Sequence, residues 1–349
     1  MARYRSVVLG CVGRARRHVE AYKLIDRARV VACADRIPEL REKFAAQYGL
    51  KAYAEAAEMI EKEKPDLIHV VTRPSWRVEI LRMVSDLEVP ACIVEKPIAT
   101  EARDWKALCD LESKTKTKIG VGAQFRYHPN LGRCREALAS GRLGKVLFME
   151  STAGSTICDQ GVHVLDWAMS LINDSPVVRV FGAASGAEEL STKHPSPNDA
   201  TAQLVFANGV HCLWTLGSTA PRVPTVYEAI GRFSHCRVAA YCERGRTLFE
   251  EFGKWEIVSG DGVESWQNTS REDWIAGNDA AQASLTNAML DWLEDDSRPA
   301  GTHFKRSLEQ WNAILGLYAS AVYRKPIDIP FDPPDDLFQR LTEALQKAS

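Results

Sequence analysis

Four residues apart in "CDQGVH" (158–163) stand a carboxylate, Asp159, and an imidazole, His163. On a helix that spacing puts both side chains on one face. A carboxylate so close can fix the tautomer of the ring and stabilise the imidazolium, which makes a general base. The same spacing also serves a helix start in which the Asp caps and the His fills space. A second candidate is Lys96 in "VEKP" (94–97), at the end of an apolar run; a lysine there can face a ligand crevice or simply be solvated beside a strand-stopping proline. The third is the turn Gly10-Cys11-Val12-Gly13-Arg14-Ala15. It fits the dinucleotide fingerprint G-x-G-x-x-G/A at Gly10 and Ala15, with Val12 at the middle-glycine position and Gly13 beside it.

These residues need elements to hold them. Apolar runs at 4–10, 29–35, 66–72, 91–97 and 118–125 alternate with helix-like stretches such as 37–49, 76–86 and 101–116. Continuous apolar runs interleaved with helices imply a doubly wound parallel sheet, an α/β fold of Rossmann type. Ligands sit beyond the carboxyl ends of such strands, so Gly10, Asp35, Thr72, Glu95 and Gln124 are the positions of interest. Asp35 lies 22 residues beyond Gly13 at the end of the second run. A carboxylate there accepts from the adenosine ribose hydroxyls and repels a 2′-phosphate, which favours NAD. Arg14 and Arg36 could pair with that phosphate, so NADP stays possible.

After about residue 126 the texture changes. Strand-like runs at 177–184, 200–206, 210–217, 223–230, 235–240, 246–252 and 255–259 follow one another without helices between them. They predict an α+β domain with a large, mostly antiparallel open sheet, closed by helices near 279–294, 304–323 and 334–347. The expected division is 1–124 for dinucleotide binding and 125–349 for substrate and oligomerisation.

Composition narrows the partners. Hydrophobic content of 45%, 26% charged residues and a formal net charge of −2 suit a globular chain with no nucleic-acid or membrane partner. No run of 18 apolar residues predicts a membrane span. Nine cysteines without a CxxC pair read as reduced thiols of a cytoplasmic protein.

The glycine turn, "VVTRP" (70–74), "EKP" (95–97), "GAQFRYHPNLGRCREALASGRLGKV" (122–146) and "DQGVHVLDW" (159–167) together resemble the Gfo/Idh/MocA oxidoreductase family. The resemblance spans nearly the whole chain and weakens after about residue 220. It implies that Lys96 is the active-site lysine and that Asp159 and His163 are the carboxylate and the base. It further implies that Gly10, Gly13, Asp35, Thr72, Glu95 and Gln124 line the cofactor, with Val12, Arg14, Arg36, Arg73 and Lys96 on the same surface. The activity it implies is hydride transfer between NAD, or NADP, and a secondary hydroxyl or ketone of a sugar, sugar derivative or cyclitol. The open sheet would form a homodimer or homotetramer.

Hydride transfer needs a held cofactor, a base for the hydroxyl proton and positive charge where an alkoxide develops. His163 suits the base, and Lys96 can donate to the substrate oxygen. Arg126 and Tyr127, where the two domains meet in sequence, could contact substrate hydroxyls or a carboxylate. Asp166 could support His163 or lie on a helix surface. His18 reads as structural, Trp76, Trp167 and Trp214 as core or sugar-stacking rings, Cys158 as packing. His211 and Cys212 lack a third ligand, so no metal site is expected.

Departures from the family pattern are Val12, the pair Arg73 and Arg77 in "TRPSWR" (72–77), and the short "TAGSTIC" (152–158). That short stretch predicts a more open pocket, a bulkier substrate or a lid from a neighbouring subunit. Two rival functions use the same scaffold: a glycoside-cleaving enzyme with tightly held NAD and transient oxidation, and a non-catalytic NAD-binding regulator.

Overall fold

The apolar runs of the first third become strands hidden on both faces, the environment such runs demand. The computed structural model describes residues 3–221, 235–267 and 270–348. Strand β1 (Tyr4–Leu9), α1 (Gly13–Glu20), β2 (Ala28–Ala34), α2 (Pro38–Tyr48), β3 (Lys51–Tyr53), α3 (Ala56–Glu63), β4 (Leu67–Val70), α4 (Arg77–Asp86), β5 (Ala91–Val94), α5 (Ala102–Glu112) and β6 (Lys118–Val121) follow in order. The strands pair in parallel in the order β3-β2-β1-β4-β5-β6. Every residue of β4 and β5 is buried. The strand order reverses beside β1, which places the ligand crevice at the carboxyl ends of β1 and β4. The short β3 carries no apolar run, with Lys51 and Ala52 exposed, so neither it nor α3 is signalled by hydrophobic pattern.

The chain continues as α6 (Pro129–Ala139), β7 (Val146–Ala153), α7 (Val162–Leu171), β8 (Val177–Ser185), β9 (Asp199–Phe206), β10 (His211–Leu216), β11 (Arg237–Cys242), β12 (Gly245–Glu250), β13 (Trp255–Ser259), β14 (Gly262–Trp266), α8 (Arg271–Glu294), α9 (Phe304–Tyr323), β15 (Ile327–Asp328) and α10 (Leu337–Ala348). Among the described residues nine strands form one sheet in the order β14-β13-β12-β11-β7-β10-β9-β8-β15. Within it β10 pairs with β7 in parallel, and the other described pairs are antiparallel. The strand expected at 223–230 lies outside the described residues. Helix α7 packs on β7 and β11, and α6 on β12 and β13. The opposite face shows Phe148, Phe181 and Leu213 to solvent.

Two compact units result: Met1–Ala99, Lys106–Gln124 and Asn278–Ser307 form one, and Thr100–Trp105, Phe125–Gly277 and Leu308–Ser349 the other. A single division after Gln124 leaves out the return of 278–307 to the first unit. That return covers an edge strand, which otherwise presents unpaired amides. The Val121 amide donates to Thr302 O (2.9 Å) and Gly120 bridges His303. Met289 Sδ lies 2.5 Å from where a Cβ of residue 120 would stand, so a larger residue there would push the Met289 side chain aside. Among the described residues no helix is long and apolar enough to cross a membrane.

Candidate functional site

In the first unit the site grows from the turn after β1. Gly10 has φ +96°, and a Cβ there would lie 2.3 Å from Val71 O; both the conformation and the space require glycine. Its amide donates to Ala34 O (2.8 Å). The next amide, of Cys11, donates to Asp35 Oδ2 (2.9 Å), while Asp35 Oδ1 accepts from the Ile37 amide (3.0 Å). The acid at the end of β2 is thus held directly against the glycine turn. Val12 is exposed and leads into Gly13, the first residue of α1. A helix start of this kind offers amides to an anion.

The remaining expected residues spread along the strand ends. Thr72 Oγ1 and Gln124 Oε1 are buried and have no partner among the described residues. Arg73 is exposed, and exposed Arg36 lies 3.9 Å from Glu55. Lys96 follows β5 and is half-buried. Arg77, the other basic departure, is fully buried, with Nη2 donating to Pro97 O (3.4 Å). Trp76 beside it is exposed, unlike Trp167 and Trp214, which are completely buried in the core of the second unit.

Arg14, in the turn itself, reaches two side chains. Its Nε donates to Glu95 Oε1 (3.0 Å) and its Nη2 to Gln282 Oε1 (2.9 Å). Glu95 Oε1 also meets His18 Nε2 (2.7 Å). Behind it, His18 Nδ1 meets His69 Nδ1 (2.9 Å), and His69 Nε2 meets Tyr22 Oη (2.8 Å). Burial would raise the Glu95 carboxyl, but the charge of Arg14 and the bond from His18 hold it well below the usual carboxylate range. Burial pushes the pKa of His18 and of His69 down. The sequence reading left His18 as structural and passed over His69 and Tyr22. One signal was available: His69 is the polar residue inside the apolar run "DLIHVV" (66–71).

In the second unit, β7 runs through buried residues 154–156 into a wide turn, Ile157–Gly161, before α7 begins. The amides of Asp159, Gln160 and Gly161 all point to Thr156 O (3.2, 3.1 and 3.0 Å). Five-residue turns of this π type recur at functional sites. The turn replaces the regular α spacing assumed for Asp159 and His163. Gly161 is tight: a Cβ would stand 2.9 Å from Leu216 Cδ1. Ser155 Oγ donates to Asp159 Oδ2 (2.6 Å). His163 is buried, its ring edge-on to Phe125 at 5.2 Å between centroids.

Arg126 and Asp166 make one feature, and Asp166 is buried rather than on the helix surface. Arg126 Nη1 donates to Asp166 Oδ1 (2.9 Å) and Nη2 to Asp174 Oδ2 (2.5 Å), all three residues being largely buried. Tyr127 is half-buried beside them in sequence. Cys158 is buried with Sγ 3.2 Å from Pro195 O, a packing role. His211 is exposed beside Gln203 (3.1 Å), and no group of three metal-ligating side chains occurs among the described residues.

His128 caps α6 through Nδ1, which accepts from the Asn130 amide (3.1 Å). Burial pulls its pKa down to about 4, against about 6.5 in an unfolded chain. The unfolded chain therefore takes the proton first. Stability from the neutral ring is complete above about pH 6.5 and is lost as the pH falls toward 4. His128→Asn keeps an acceptor for the cap and removes the titration. Its urea midpoint should fall less between pH 7 and 4 than that of the wild type; equal slopes would contradict this role.

Residues 4–123 match the family model described as an oxidoreductase family with an NAD-binding Rossmann fold, Gfo/Idh/MocA. Among curated proteins, the chain is 25% identical over 201 residues to D-apiose dehydrogenase of Paraburkholderia graminis, covering 52% of this chain and 53% of that one. It is 28% identical over 178 residues to inositol 2-dehydrogenase of Rhizobium meliloti, covering 46% and 52%. The chain thus spans about half the length of the curated relatives it matches. The solved structure of an oxidoreductase from Agrobacterium radiobacter, in complex with NAD+, L-tartaric acid and magnesium, superposes with a TM-score of 0.80. It covers 94% of this chain and 99% of that one at 18% identity, a likeness of fold.

Proposed function

We propose that the chain, whose residues 4–123 match the Gfo/Idh/MocA oxidoreductase family model, is an NAD(P)-dependent dehydrogenase acting on a secondary hydroxyl, or the matching ketone, of a sugar, sugar derivative or cyclitol. The observation that carries this reading is the Cys11 amide donating to Asp35 beside Gly10, where no Cβ fits. A helix start beside a fixed carboxylate suits a pyrophosphate and an adenosine ribose. The buried and unpartnered Thr72 Oγ1 and Gln124 Oε1 at the same strand ends suit the polar edge of a nucleotide. Asp35 favours NAD over NADP; Arg14 is occupied by Glu95 and Gln282, while Arg36, next to Asp35 in sequence, is exposed.

The bound nicotinamide would supply the hydride acceptor or donor. The chain would supply the rest. His163 takes or returns the hydroxyl proton, with Asp159, held by Ser155, as its carboxylate. Lys96 donates to the substrate oxygen and stabilises its developing negative charge. The names of the relatives, an apiose dehydrogenase and an inositol dehydrogenase, support a polyol substrate. The open face of the nine-stranded sheet, with Phe148, Phe181 and Leu213 exposed, would join subunits into a homodimer or homotetramer.

A panel of cyclitols, aldoses, uronates and nucleotide sugars, run with NAD and with NADP, tests the activity by absorbance of the reduced nicotinamide. Turnover is expected with one class, at a kcat/KM at least about tenfold higher with NAD. Substrate cleavage without release of NADH would overturn it. A monomeric mass by light scattering would end the proposed assembly.

A further inference from the structure

The side chains behind Lys96 form a longer polar chain than an ion pair needs. Glu95 is the last residue before Lys96, and its carboxylate already has Arg14. Yet two completely buried histidines and a tyrosine extend from it along α1 and β4. Burying an imidazole is costly unless its nitrogens find partners. Here all four ring nitrogens of His18 and His69 have one.

The ends of this chain decide where its protons lie. Glu95 Oε1 receives the Arg14 Nε–H, so it is an ionised acceptor and His18 Nε2 must carry a proton toward it. Neutral His18 then has Nδ1 as an acceptor, so His69 Nδ1–H donates to it. His69 Nε2 in turn accepts from the Tyr22 hydroxyl. One arrangement satisfies every group: Tyr22 to His69 to His18 to Glu95, all pointing the same way.

We propose that His18, backed by His69 and Tyr22, is a positioning residue that locks the Glu95 carboxylate and through it the Lys96 backbone at the end of β5. The chain acts as a scaffold and not as a proton wire. Conduction would require Tyr22 to become a phenolate, which burial opposes, and Glu95 to protonate, which Arg14 opposes. Two other charges lie close to Glu95, Lys96 and Arg77, and both favour its ionised form. The inference rests on the proposed role of Lys96.

Glutamine separates scaffold from wire. In His18→Gln the amide N–H can donate to Glu95 and the amide oxygen can accept from His69, but an amide relays no proton. His18→Leu removes both bonds. With the substrate found by the panel, His18→Leu should lower kcat by about 10–100-fold, the size expected when a reacting group is displaced by a fraction of its working distance. NADH affinity should stay within about threefold, and His18→Gln should recover to within about threefold of the wild type. A wild-type kcat in His18→Leu overturns the proposal, and so does a His18→Gln variant as slow as His18→Leu.

If His18→Leu fails to fold, Tyr22→Phe, which deletes one hydroxyl, takes its place. A lower kcat at unchanged NADH affinity supports the scaffold, and an unchanged kcat refutes it. Lys96→Ala is assayed beside these variants. If it turns over like the wild type, the role of Lys96 falls, and the chain is judged by 15N NMR of labelled histidine. Protons on His18 Nε2 and His69 Nδ1, with a coupling across the Nδ1···Nδ1 bond, support the scaffold; any other tautomer pair refutes it.

Discussion

In His163→Ala, kcat is expected to fall by about a hundred- to ten-thousandfold, the range that a positioned acid–base group contributes. Affinity for NADH should be unchanged, because the nucleotide turn, Asp35 and Thr72 all belong to the first unit while His163 sits on α7 in the second. Lys96→Ala should lose turnover through loss of charge stabilisation on the substrate oxygen while NADH still binds. Asp159→Asn should fall between the wild type and His163→Ala, since it keeps an acceptor for Ser155 Oγ but removes the charge proposed to orient the base. Added imidazole should restore part of the rate in His163→Ala alone. Steady-state kinetics with a parallel NADH fluorescence titration checks the set. A wild-type rate in His163→Ala removes it from the mechanism.

Arg126→Leu should destabilise the second unit by about 3–5 kcal/mol, the usual cost of stripping one partner from a buried ion pair. The guanidinium serves two carboxylates, Asp166 on α7 and Asp174 just beyond it, and the Arg126 carbonyl accepts from Arg135 Nη1 (2.5 Å) on α6. Removing it takes this counter-charge from buried Asp166 and half-buried Asp174. Arg126→Lys should rescue little, because an ammonium cannot reproduce the fork that spans both acids. Urea unfolding followed by far-UV circular dichroism measures the loss. A shift below about 1 kcal/mol would mean that the acids find water or other partners. Asp166 follows His163 by three residues on α7, so the ion pair also anchors the helix that carries the proposed base.

The parallel sheet was legible because hydrophobic burial on both faces writes itself as continuous apolar runs, as in "DLIHVVT" and "ACIVEKP". The glycine turn and Asp35 were legible because local backbone geometry and a fixed chain separation bring them together, and the structure joins them through the Cys11 amide. Weakly patterned pieces were not: β3 is three residues long with two of them exposed, and α8 begins eight residues before the amphipathic stretch expected at 279–294.

By itself, then, the sequence determined the fold class, the glycine turn with its acid, and the short set of residues that could do acid–base chemistry. These follow from local spacing and from the periodicity of burial. Only the tertiary structure decided how the buried charges are shared. Arg14 goes to Glu95, and Arg126 to Asp166 and Asp174. His18 and His69, from a helix and a strand 51 residues apart, meet through their Nδ1 atoms. Such pairings are set by which groups the folding chain removes from water together, and each buried polar atom must then find its partner among distant residues. No periodicity in the chain records that choice.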